Sequence, residues 1–294
     1  GWDVTPRELK AIAEYQCMYG PNIICQHLLP YSESGERKHD YPAHFSWVNP
    51  WVDEAFDHFN EYFDRLGTLF AESSEKVKVG VLHPMRTAYF YYKKTGSAEM
   101  GEIDKEFVSF CNDLAKKGVG YHLLDETLLA KYGFVEGTKI GLKHCTYEYL
   151  IIPSVMETMD KTTEKLLREY VQNGGKILVL SNKLAYLEGK KYEYPYLKSN
   201  IAMEEIASIS PYAIKTDSET VFSVYKTSEY GDYIFVLNAD FYRTANVRLD
   251  VQNRQLSRFL IEEMREEPFE NEFILQPNES AVLFVVDKKE KTIK

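Results

Sequence analysis

The sequence predicts an α/β protein in three parts: a helix–strand–helix opening segment over residues 1–75, a doubly wound parallel domain over 76–205, and a small antiparallel β-sandwich over 206–294. Three observations carry this. From Lys76 short apolar runs alternate with helical patterns, as in a parallel sheet covered on both faces. After about residue 205 helical spacing fades, and β-branched and aromatic residues alternate with polar ones between turn signals. Before Lys76 only one strand is found, too little to bury itself.

The opening segment begins with Thr5-Pro6-Arg7-Glu8, a capping box with proline at the first helical position. Leu9, Ile12, Ala13 and Cys17 then recur at helical spacing up to Gly20. A buried strand is expected over Ile23 to Leu29, passing through His27. It runs into a loop crowded with Tyr31, Glu36, Arg37, His39, Asp40, Tyr41, His44, Trp47 and Trp51. A second helix is expected from about Pro50 to Phe70, with Phe56, Phe59, Phe63, Leu66 and Phe70 on one face.

In the middle part the predicted strands are Val77 to Leu82, Val119 to Leu124, a short one over 139–143, Tyr149 to Pro153 and Lys176 to Leu180. Helices are expected at Ile103 to Lys116, around Leu128 to Tyr132, and after Asp160 as far as Asn173-Gly174-Gly175. The last part offers six strands: Thr220 to Tyr225, Asp232 to Asn238, Ala245 to Leu249, Phe259 to Glu262, Phe273 to Leu275 and Ser280 to Val286. A polar tail follows.

Composition narrows the function. At 44% hydrophobic and 27% charged residues the chain is ordinary globular material. Its net charge of −10 argues against a nucleic-acid partner, and no apolar run reaches the length of a membrane span. Residues 1–75 hold five basic and thirteen acidic side chains, which reads as a solvated helix face. Cys17, Cys25, Cys111 and Cys145 show no metal-ligand spacing, and three of them sit among apolar neighbours as small buried hydrophobes. Such cysteine usage leans towards a reducing, cytoplasmic compartment.

Several chemistries lack their residues. The strand at Val77 to Leu82 is followed by His83-Pro84-Met85-Arg86, not by the glycine-rich phosphate turn, so no nucleotide cofactor is expected. An amidotransferase would need a cysteine on a tight strand-to-helix turn, yet Cys145 precedes a strand. His39, His44 and His58 with Asp40 and Asp53 lack helical metal-binding spacing, so no metal is expected. Glu33, Glu36 and Asp40 share one loop, whereas catalytic carboxylate pairs on barrels come from different strand ends. No catalytic residue is assigned. The aromatic and planar polar groups of the front loop together suit a sugar, although each has a plain packing explanation of its own. The loop also starts too early for a complete scaffold to precede it, which reads as the back end of a larger enzyme.

Gly20-Pro21-Asn22-Ile23-Ile24 through Tyr31-Ser32, then Gly35-Glu36-Arg37 and Asn49-Pro50-Trp51, resembles the last strand and loop of the catalytic (β/α)8 barrel in large bacterial glycoside hydrolases. The candidates are the family 42 β-galactosidases and related rhamnosidase-like enzymes of family 2 or 106. The resemblance is specific in the front loop and architectural beyond residue 76. It implies a partial barrel remnant, then a flavodoxin-like domain similar to class I glutamine amidotransferases without the catalytic cysteine, then a β-sandwich. It further implies that His27, Tyr31, Glu36 and Arg37 line a glycone pocket whose acid/base and nucleophile lie on earlier strands. A carbohydrate substrate is then bound by the intact protein, the fragment alone is inactive, and the middle domain is a candidate for homo-oligomer contacts. The rival readings are a non-catalytic carbohydrate-binding or oligomerisation module and a stand-alone amidotransferase-like hydrolase.

Overall fold

The computed structural model describes residues 4–25 and 51–287, which divide into two compact units, one built from the residues before 76 together with those from Tyr212 onward, the other from Lys76–Pro211. Helix α1 (Pro6–Met18) starts at the predicted capping box: the Thr5 side chain accepts from the Glu8 backbone N–H, and the Glu8 carboxylate accepts from the Thr5 N–H at 2.7 Å. Helix α2 (Val52–Ala71) carries Phe59, Tyr62, Leu66 and Phe70 on its buried side, and strand β1 (Ser73–Ser74) follows. Residues 21–25, where the strand was expected to begin, have no strand pairing, and Ile23 is 85% exposed. With no ladder partner among the described residues, nothing there holds these residues as a strand.

In the central unit, β2 (Val79–Leu82) is followed by helices α3 (Met85–Tyr91) and α4 (Ala98–Lys116), then β3 (Tyr121–Leu124) and α5 (Glu126–Tyr132). A small antiparallel meander comes next, β4 (Gly133–Glu136), β5 (Lys139–Leu142) and β6 (Cys145–Tyr147). The chain continues through β7 (Tyr149–Ile152), β8 (Thr158–Met159), α6 (Lys161–Gln172), β9 (Lys176–Val179), β10 (Tyr186–Leu187), β11 (Lys190–Lys191) and α7 (Met203–Ser208). Strands β3, β2, β7 and β9 lie in that order in one sheet, all parallel.

Both faces of this sheet are covered, because alternate residues point to opposite sides. Leu150, Ile152 and Ile177 pack with Leu129 of α5 and Leu167 and Tyr170 of α6, while Val79, Val81, Tyr149 and Ile151 pack with Phe107 and Leu114 of α4 and Ile206 of α7. Gly175 opens β9 because Tyr170 leaves no room: a Cβ there would lie 2.4 Å from the ring, whose hydroxyl donates to Glu148 O and Lys176 O.

The remaining strands are β12 (Ala213–Thr216), β13 (Val221–Ser228), β14 (Gly231–Asn238), β15 (Ala245–Asp250), β16 (Arg254–Leu260), β17 (Arg265–Phe269), β18 (Glu272–Leu275) and β19 (Ser280–Asp287). They form two antiparallel sheets, a six-stranded one in the order β1-β13-β14-β19-β16-β17 and a three-stranded one in the order β12-β15-β18. Ile234, Val236, Leu283 and Val285 face Val247, Leu249 and Leu275 across a shared core. The opposite face of the larger sheet is not exposed. Tyr233, Phe235, Leu237, Val282 and Phe284 pack against Ala11, Cys17 and Met18 of α1 and Tyr62, Leu66 and Phe70 of α2. Residues 4–25 and 51–75, read from sequence as a part of their own, are thus one layer of a helix–sheet–sheet unit.

Candidate functional site

The four residues expected to touch ligand, His27, Tyr31, Glu36 and Arg37, lie outside the described residues, as do His39, Asp40, His44 and Trp47. Trp51, the last aromatic of that loop, is half-buried and donates its indole N–H to Val4 O at 3.1 Å. Of the four cysteines, three of which the sequence places among apolar neighbours, Cys17 is buried, Cys111 is intermediate, and Cys25 and Cys145 are exposed. Cys111 lies within α4 and Cys145 on β6, neither of them on a strand-to-helix turn of the parallel sheet.

In an open parallel sheet, ligands are met where loops leave the carboxyl ends of the strands, beside the point at which strand order reverses. Here His83 follows β2, Asp125 follows β3 and Ser154 lies just past β7. The His83 ring packs 5.6 Å from that of Phe107, and burial lowers its pKa, with the Asp125 charge working the other way. Ser154 donates to Glu106 Oε1 at 2.5 Å.

Beside them stands a polar cluster that the sequence did not single out. Asp125 caps α5, its Oδ1 accepting from the N–H groups of Thr127 at 2.9 Å and Leu128 at 3.1 Å. Arg86 of α3 donates from Nε to Asp160 Oδ2 at 2.8 Å and from Nη2 to Thr127 Oγ1 at 3.0 Å. Glu126 is 2% exposed and its Oε2 accepts from the Asp160 N–H at 2.6 Å. Burial pushes the Glu126 carboxyl up to about 7, opposed by that N–H and by the Thr163 hydroxyl. Neither Glu126 Oε1 nor Thr163 Oγ1 completes a hydrogen bond of normal geometry. Thr87, fully buried, accepts from the N–H groups of Glu157 and Thr158, and Tyr91 donates to the Glu157 carboxylate.

Chemically this cluster is a clamp. Arg86 and Glu126 both hold Asp160, the N-cap residue of α6, so α3, α5 and α6 are tied at one end of the sheet. Nucleophilic catalysis needs a serine, cysteine or similar group within hydrogen-bond reach of a base. Ser154 reaches a carboxylate, Glu106, only in a solvent-exposed contact, and Asp125 is occupied by the helix cap. Among the described residues no group of three or more His, Cys, Asp or Glu side chains is arranged to hold a metal. No helix there is long and apolar enough to cross a membrane. The clamp escapes sequence reasoning because its members come from positions 86, 126 and 160, and Leu124-Asp125-Glu126-Thr127 reads simply as a strand end and a cap.

No protein-family model matches the chain, and no curated protein matches it. Its fold is nonetheless shared with solved glycoside hydrolases. An exo-carrageenase of family GH42 from Bacteroides ovatus superposes with a TM-score of 0.65 at 10% identity, over 98% of this chain and 40% of its own. A β-galactosidase from Bacillus circulans sp. alkalophilus gives 0.60 at 10% identity, over 96% of this chain and 52% of its own. A rhamnosidase from Novosphingobium sp. PP1Y gives 0.61 at 12% identity, over 99% and 30% respectively. The chain therefore spans about half or less of each enzyme, and at such identities the likeness is one of fold.

Proposed function

We propose that this chain is the C-terminal region of a glycoside hydrolase related to the GH42 β-galactosidases. The observation that carries the reading is the breadth of the likeness: residues of both compact units fall within the 98% of the chain matched by a GH42 exo-carrageenase and the 96% matched by a β-galactosidase. The chain path itself, with a parallel four-stranded domain inserted between the helices and the sheet they cover, lies within the matched length. The parallel order β3-β2-β7-β9 supports the finer assignment of that domain as flavodoxin-like and similar to class I amidotransferases, here with neither Cys111 nor Cys145 at the carboxyl end of a parallel strand.

In the intact enzyme the reaction is hydrolysis of a glycosidic bond by two carboxylates, supplied by earlier strands of a barrel. His27, Tyr31, Glu36 and Arg37 contribute sugar contacts at its rim. The exposed Ile23, in a segment without strand partners, suits a strand whose neighbours belong to that barrel. The test is turnover of a panel of chromogenic glycosides by the protein of the full reading frame and by its Arg37→Ala variant. At least one substrate should be hydrolysed, with kcat/KM for the variant lowered about 10-fold or more, the effect of losing one charge-assisted hydrogen bond to substrate. A variant as fast as the parent on every substrate removes the pocket assignment, and no turnover of any glycoside favours a non-catalytic module.

A further inference from the structure

The outer face of the three-stranded sheet carries an open cleft of about 510 Å³, lined by residues of β12, β15 and β18 and by Asp217. Register places Lys215 directly opposite Arg248, and Arg248 directly opposite Glu272. Two cations facing each other across an antiparallel pair repel, a cost a sheet avoids unless something offsets it. Glu272 offsets part, its carboxylate 3.0 Å from Arg248 Nη1, but both partners of that pair are well exposed and such pairs hold little energy. Lys215 has no ion pair among the described residues.

The surroundings limit what can sit there. Asp217 is committed to Asn246, accepting from its backbone N–H at 2.9 Å and its side-chain amide at 2.6 Å, and those bonds hold its carboxyl below the usual range. With Asp217 and Glu272 against Lys215 and Arg248 the cleft is formally neutral, so a densely charged polyanion gains little from it. One carboxylate between Lys215 and Arg248 is matched, with the guanidinium able to present its planar fork. The exposed Asn246 beside it, its backbone N–H and amide donating to Asp217, offers its amide oxygen to a sugar hydroxyl, and Ile274, 57% exposed and opposite Asn246 in the register, is an apolar surface for the face of a sugar ring.

We propose that this cleft binds a uronic-acid residue of an oligosaccharide. The choice of a sugar rests on the glycoside hydrolase reading above; the need for one carboxylate rests on the Lys215–Arg248 pair alone. The experiment is calorimetric titration of the full 294-residue chain with a galactose tetramer ending in a single galacturonate, a neutral galactose tetramer and a sulfated galactose tetramer, at low and physiological salt. The tetramer with one galacturonate should bind, more weakly as salt rises, and the neutral one at least 10-fold more weakly. Lys215→Ala and Arg248→Ala should each lower affinity 10-fold or more without lowering the thermal midpoint, since both side chains are exposed and each variant relieves the repulsion between them. Glu272→Gln should bind no more weakly than the parent. Equal affinity for the neutral tetramer, preference for the sulfated one, or full binding by Lys215→Ala overturns the proposal. Because no hydrolysis is measured, its failure leaves the glycosidase reading to its own turnover assay.

Discussion

Glu126 is the residue at which burial and charge conflict most directly. Its carboxyl ionises near 4.5 when unfolded and near 7 when folded, so between those pH values the folded chain holds more of the proton. Stability contributed at this position is therefore greatest at acid pH, falls as pH rises from about 4.5 to 7, and is flat beyond. The whole difference is on the order of 3 kcal/mol. Glu126→Gln keeps an acceptor for the Asp160 N–H and offers an amide donor to the Thr163 hydroxyl, which lacks a well-formed partner. The variant should unfold at a higher temperature than the parent at pH 8 and at nearly the same temperature at pH 5. A parent-minus-variant difference that does not change between these pH values would show that Glu126 does not titrate in this range.

At the scale of the element, some features are legible in the sequence and others are hidden for identifiable reasons. The start of α1 is legible because a capping box is local: Thr5, Pro6 and Glu8 act within one turn. The parallel strands are legible because each is a short apolar run. The double burial of β14 was readable but easily missed. Tyr233-Ile234-Phe235-Val236-Leu237 is a continuous apolar run, not an alternating one, and all five side chains are fully buried. That pattern marks a strand covered on both faces. Strands β12 and β17 were not expected, the first only four residues long with one inward aliphatic, Ile214, the second Arg265-Glu266-Glu267-Pro268-Phe269, whose charges and proline suit an edge. The Lys215–Arg248 opposition depends on β12 and was therefore invisible. So was Glu14, which looks like one more surface charge on a helix of balanced charge yet is fully buried. Its Oε1 accepts from the Tyr62 hydroxyl of α2 and, at 2.7 Å, from the Ser280 hydroxyl of β19, with Lys10 at 3.2 Å. Glu14→Ala strands the buried Tyr62 hydroxyl, frees the half-buried Ser280 hydroxyl and loosens α1 from both neighbours, a loss of about 3–5 kcal/mol for two hydrogen bonds to a charged group. Denaturant unfolding measures it, and a loss below about 1 kcal/mol would mean the three partners find water instead.

For the molecule as a whole, the chain path has a consequence for what each piece needs in order to fold. The central unit has apolar clusters on both sides of its parallel sheet, all drawn from residues between 76 and 211. The sheet of the other unit has no such self-sufficiency, because one of its faces is covered by helices more than 130 positions earlier in sequence. Removing residues 1–75 uncovers Tyr233, Phe235, Leu237, Val282 and Phe284 together, each stabilised by roughly 1.5–3 kcal/mol through burial. Ordinary domains are stable by only about 5–15 kcal/mol, so this loss is enough to unfold the sheet. A chain covering residues 76–294 should retain a cooperative unfolding transition from its central unit, lose the second, and bind a hydrophobic dye strongly. If that shortened chain stays monomeric, shows native near-ultraviolet dichroism and leaves the dye unbound, the sandwich core of Ile234, Val236, Val247, Leu249, Leu275 and Leu283 suffices by itself. The opening helices would then be a cover for the sheet and not a part of its folding unit.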